Sequence, residues 1–180
     1  MNHSATFPDQ IEKHNQSTKE APLVDLTKTF LAPVEQVFEV WSDADLISKW
    51  WGPDTMRCTF AKNNFKVGGK YLFSMQSIQD ERKIIWSTGV YEQVLENKKL
   101  VFSVLPANEH GDIITPQEAG FEGPWPNNGQ SYVTVEFEAV EKNKTKLHMM
   151  HEGLPAHMHD DCVKDMSSSL DKIKKLVEKH

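Results

Sequence analysis

The chain has 180 residues, 38% of them hydrophobic and 26% charged, which suits one soluble domain large enough to bury a sizeable core. Twenty basic side chains against 26 acidic ones leave a net charge of −6, so phosphate backbones and anionic membrane surfaces meet no general attraction and nucleic acid is excluded as an expected partner. No apolar run approaches the roughly 20 residues of a spanning helix, no cationic start precedes an apolar core, and Cys58 and Cys162 lie far apart like two reduced thiols, so a cytoplasmic protein without membrane attachment is expected.

Residues 1–20 are polar and keep no period for long, which predicts a flexible N-terminal tail ahead of a single domain over 21–180. The alternation in PLVDLTKTF predicts the first strand. In LAPVEQVFEVWSD, Val34, Val37, Phe38 and Trp41 share one helical face, and Pro33 suits the first turn. Ser42 or Asp43 can cap a second short helix, DADLISKWW, which Gly52 and Pro53 stop.

From 55 to 151 the pattern changes to short β-rich runs: TMRCTF, GKYLFSMQ, KIIWSTGVYEQVLE, KLVFSVL, SYVTVEFEAVE and TKLHMMHE. Turn chemistry at Gly68-Gly69, Asn97 and Asn143 separates them, so they read as antiparallel strands. Gly68-Gly69 is a hairpin turn and not a phosphate loop, because no Lys-Ser or Lys-Thr follows, and no cofactor is expected. Gly89 inside a strand predicts a bulge or tight bend. Residues 106–131 are rich in Pro, Gly and Asn and too long for a hairpin, the profile of a functional or mobile loop.

The last segment places Val163, Met166, Leu170, Ile173 and Val177 on one narrow helical stripe. Asp160 and Asp161 favour its N-terminal end, and Lys172, Lys174 and Lys175 its C-terminal end. The sum is an α+β chain in which a curved antiparallel sheet of about seven strands wraps a long C-terminal helix, with two short helices after the first strand. Such a sheet leaves a hollow beside the helix, and hollows lined by Met, Phe and Trp accept small apolar molecules.

Five phrases in order, FLAPVEQVFEVWSDADLISKWWGP, FKVGGKYLFSM, STGVYEQVLENKKLVFSV, VTVEFEAVEKNKTKLHMMHEGLP and SSSLDKIKKLV, resemble the signatures of the START-like (SRPBCC, helix-grip) superfamily over roughly residues 22–178. Within it they resemble the branch named after the C-terminal domain of the activator of heat-shock protein 90 ATPase. The resemblance implies the helix-grip fold. It implies function only as a choice among carriers of lipids and hormones, aromatases and cyclases, and co-chaperone domains. Before the final Ser-Leu-Asp-Lys, where relatives often carry a tryptophan, this chain has Met166 and three serines.

The expected function is that of a non-catalytic protein binding a small apolar or aromatic molecule, as a monomer or homodimer. The residues expected to line the cavity are Trp51, Phe73, Met75, Trp86, Phe102, Met149, Met166 and Leu170, with His151 as the polar group. His148 and His151 differ by three positions in a strand and so point to opposite faces, His151 sharing parity with Leu147 and Met149. Trp50 and Trp51 are read first as staples of the short helices, Trp51 also as part of the cavity mouth. No metal is expected, because HEGLP lacks a second histidine and His157, His159 and Cys162 lack zinc-like spacing. A cyclase-like or dehydratase-like enzyme with His151 as general base is the second reading, and a module docking on a chaperone ATPase the third.

Overall fold

In a computed structural model that describes residues 23–178, the first strand, β1 (Val24–Phe30), is where the sequence pattern puts it. The tail expected over 1–20 lies outside the described residues. Helix α1 (Val34–Glu39) starts directly after Pro33, which holds the cap position and not the first turn. It is shorter than its apolar stripe, because Asp43 caps a separate helix, α2 (Ala44–Ile47), its carboxylate accepting from the Leu46 N–H at 3.0 Å. Turns carry the chain on to Trp51, and Gly52 closes the corner at φ +102°, in the left-handed region that glycine tolerates.

Seven further strands follow: β2 (Met56–Arg57), β3 (Ala61–Asn63), β4 (Lys70–Ser77), β5 (Ile84–Leu95), β6 (Lys99–Ala107), β7 (Ser131–Glu141) and β8 (Lys144–Glu152). They join β1 in one antiparallel sheet of order β1-β8-β7-β6-β5-β4-β2, with β3 pairing β4 beside that path. The Gly68-Gly69 turn lies against β5, Gly68 N–H donating to the Tyr91 carbonyl at 2.8 Å and Tyr91 N–H to the Gly69 carbonyl at 3.0 Å. A Cβ on Gly69 would lie 1.9 Å from the Asn64 carbonyl oxygen, so only glycine fits.

The bend expected at Gly89 is present. The β5–β6 ladder passes over Gly89 and Val90, and its register shifts between Tyr91 and Gln93. A Cβ on Gly89 would lie 1.8 Å from the Ser103 carbonyl oxygen, which accepts instead from the Tyr71 hydroxyl at 2.7 Å. Val90 N–H donates to Ser103 Oγ at 2.9 Å, so a side chain replaces the missing ladder partner.

Helix α3 (His159–Val177) crosses the concave face with Leu170 and Ile173 buried, while Met166 and Val177 pack at the edge of the core. Two ties fix it from outside the core. Lys28 of β1 pairs with Asp171, and Lys172 donates to the carbonyls of Gly52, Pro53 and Met56 at 2.9, 2.8 and 3.0 Å. The lysine read as a partner for the helix dipole therefore joins the helix to the tryptophan corner.

Ile173 is fully buried, so truncating it removes packed side-chain volume from the core. Ile173→Ala should lower the unfolding free energy by about 2–5 kcal/mol, measured by urea denaturation followed by tryptophan fluorescence.

Candidate functional site

Trp50 and Trp51 follow one another on a turn, so their rings diverge. Trp50 is buried, its indole N–H donating to the Val40 carbonyl at 2.7 Å and its ring lying 4.6 Å from that of Trp41. Trp51 is half-buried and turns towards the sheet, 4.8 Å from the Phe73 ring. Trp50 is thus mainly a staple, though it borders the cavity too, and Trp51 is a wall residue.

The wall belongs to a cavity of about 260 Å³ between the concave face of the sheet and α3. Trp51, Gly52 and Pro53 form one side. Met75, Ile85, Phe102, Val133, Met149 and His151 rise from the strands, and Cys162, Asp165, Met166, Ser169 and Leu170 come from the helix. Phe121 and Trp125, with rings 5.2 Å apart, close a further side from the 106–131 loop. That loop is tied down near its start and near its middle. The Ile114 N–H donates to the Pro106 carbonyl at 3.1 Å, and a ring nitrogen of His157 lies 3.1 Å from the Glu122 carbonyl oxygen.

Of the nine residues chosen from the sequence, Trp51, Met75, Phe102, Met149, His151, Met166 and Leu170 stand together on this wall, and Phe73 and Trp86 do not. Phe73 is buried behind Trp51, stacked on Tyr71 at 4.5 Å. Trp86 lies on the other face of the sheet. In the β4–β5 pairing Met75 faces Ile85 and Phe73 faces Ser87, so Trp86 between them points outward with Ser74, its ring 5.6 Å from Phe60. No motif singles out Phe121 and Trp125, although two large rings within GFEGPWP are costly to leave in water and signal that the loop covers something.

His151 is a buried polar group among these largely apolar walls, as is Ser87. One ring nitrogen, Nε2, lies 2.7 Å from Ser131 Oγ, and Nδ1 has no partner among the described residues. Burial pushes its pKa down to about 4, so the ring is neutral at pH 7. The parity argument for His148 holds too. It lies on the outer face between Asp25 at 2.6 Å and Glu136 at 3.4 Å. His159 reaches Asp160 at 3.2 Å. Burial, then Asp165 and Asp161, push the Cys162 thiol up to about 11, and burial raises Cys58, so neither is a thiolate at neutral pH. Partial burial first, then Asp161 and Asp54, raise the pKa of Asp165.

A curled antiparallel sheet gripping a C-terminal helix over an apolar cavity defines a helix-grip domain. The chain belongs to the family described as Activator of Hsp90 ATPase homolog 1-like protein, whose model matches residues 31–178. Its fold is similar to that of a crystallised Chromobacterium violaceum protein, with 18% identity over 88% of this chain and 98% of that one at a TM-score of 0.72. It is also similar to an Arthrobacter aurescens protein, with 22% identity, 87% and 86% coverage and a TM-score of 0.71. A Silicibacter pomeroyi protein bearing the family's name shares 17% identity over 86% of this chain and 96% of that one, at a TM-score of 0.65. No curated protein matches significantly. Among the described residues no helix is long and apolar enough to cross a membrane.

The folded state holds His151 neutral down to about pH 4, whereas an unfolded chain protonates it near 6.5. The unfolded state therefore binds more protons between these values, and stability falls as pH drops through that window. The contribution should approach about 3 kcal/mol at the low end and vanish above about pH 7. Comparing unfolding free energies of the wild type and His151→Phe at a series of pH values checks this, the variant showing the flatter profile.

Proposed function

We propose that this protein is a non-catalytic binding protein that holds a small apolar or aromatic molecule between the sheet and α3. The observation that carries the reading is the cavity, whose walls are tryptophan, phenylalanine, methionine and aliphatic side chains. At about 260 Å³ it exceeds the roughly 150 Å³ of an apolar cavity that takes up benzene, and it suits a molecule of about two fused rings. Methionines at 75, 149 and 166 give these walls flexible surfaces that fit more than one shape.

One observation favours a second reading, catalysis by a buried general base: Nδ1 of His151 has no partner among the described residues. A base with a pKa of about 4 is neutral at pH 7 but accepts protons weakly, so it offers little driving force for abstraction from carbon. The binding reading ranks first for that reason. Docking on a chaperone ATPase is supported by the family's name alone.

The test uses N-phenyl-1-naphthylamine, a neutral probe whose fluorescence rises in apolar surroundings. The wild type should take it up saturably, about one probe per chain. Met166 borders the cavity and is only partly buried, so Met166→Trp should fill the space, abolishing uptake while leaving the melting temperature unchanged or raised. If that variant melts as early as Ile173→Ala, the site is a closed core being overpacked, and the binding reading fails.

A further inference from the structure

The walls also specify the charge and the polar chemistry of what they can hold. Among the described residues no lysine or arginine lines the cavity, and the formally charged side chain on it is Asp165, an exposed residue on which the fields of Asp161 and Asp54, and more weakly of Lys164, act. The ammonium of Lys172, beside the same corner, has its three N–H donors committed to the carbonyls of Gly52, Pro53 and Met56. A carboxylate or phosphate entering the cavity would therefore lose its water, find no counter-charge and face an aspartate.

The unpartnered groups point to the complementary requirement. Buried polar atoms are nearly always hydrogen-bonded, and exceptions call for an explanation. Among the described residues the buried side-chain nitrogens without a partner are Nε1 of Trp41, Trp51 and Trp125 and Nδ1 of His151, and all four residues line the cavity. An indole nitrogen can only donate. The three indole donors call for an acceptor that brings no charge, reached by a turn of a ring towards the space because none is open to a water-sized molecule as it stands, while Nδ1 of His151 donates or accepts according to the tautomer.

We infer that the cavity selects a neutral ring compound carrying a hydrogen-bond acceptor oxygen, such as a ketone, ester, lactone or quinone, and rejects the carboxylate or phosphate of the same size. This rests on the binding reading above and narrows it. Free fatty acids and phospholipid headgroups fall outside the selected class.

Matched two-ring probes separate shape from charge. Methyl 2-naphthoate and 2-acetonaphthone are neutral acceptors, 2-naphthoate is the anion of the same frame, and 2-ethylnaphthalene lacks the oxygen. Dissociation constants for the full chain at about pH 7.5, from quenching of tryptophan fluorescence, should show the ester and ketone bound about tenfold or more tighter than the acid. Asp165→Asn should narrow the ester-to-acid ratio. At least one of Trp51→Phe, Trp125→Phe and His151→Phe should weaken the ketone severalfold relative to the hydrocarbon, since each keeps a ring and deletes a polar nitrogen. Naphthoate bound as tightly as its ester, an ester-to-acid ratio indifferent to Asp165→Asn, or a ketone preference that survives all three ring substitutions overturns the inference and leaves the binding reading standing. Failure of every neutral probe to bind overturns both.

Discussion

The concave shape of the molecule depends on the close approach of two backbones at Gly89. With hydrogen in place of a Cβ, β5 comes near enough to β6 for the Ser103 carbonyl to stand where a side chain would have been. That carbonyl is lost to the ladder and would be an unpaired acceptor, but the Tyr71 hydroxyl donates to it, and the Ser103 side chain serves Val90 in return. A kink in a sheet is costly when it strands backbone groups. Here neighbouring side chains satisfy them, so the sheet curls and a helix can lie inside the curl.

A curled sheet encloses more volume than one helix fills, and aromatic rings take up much of the difference. Their contacts form a closed circuit: Trp41 meets Trp50, Trp50 meets Trp51, Trp51 meets Phe73, and the path returns through Tyr71, Tyr91, Phe65, Phe38 and Phe137 to Trp41. Such rings combine large buried area with few rotatable bonds, so a circuit of them is stiff. Trp51 belongs to this scaffold and to the cavity wall at once, which is how that wall can be held in place without polar bonds of its own. Lys172 supplies the polar anchorage instead, gathering three carbonyls of the following loop onto α3.

His151 shows how a ring with two polar nitrogens is kept in such a place. Its register partners are Val24 and Val133, and Met149 shares its face two residues before, so the imidazole stands among apolar neighbours. Ser131 satisfies one nitrogen, and burial keeps the ring uncharged. Three positions earlier His148 faces water between two carboxylates. The same residue type is a buried hydrogen-bonding group on one face of β8 and a surface partner for acids on the other.

Local patterns in the sequence determined the elements: the helical stripe ending in Leu170 and Ile173, the alternation that separates His148 from His151, the cap at Asp43, and the glycines at 52, 68, 69 and 89. These are readable because period, capping and backbone sterics act over a few residues. Placing a residue on one face of the sheet or the other was harder wherever both faces carried apolar groups. Trp86 looked like a lining residue and Ile85 is one, because the pairing of β4 with β5 decides which of the two turns inward, and a shift of one residue exchanges them. Phe73 shares the inward parity yet sits behind Trp51, a matter of depth that no period encodes. The return of Phe121 and Trp125 over the cavity, and of Lys172 to the tryptophan corner, joins segments far apart in the chain. Only the tertiary structure could decide these, since contacts between distant segments depend on how the whole sheet curves.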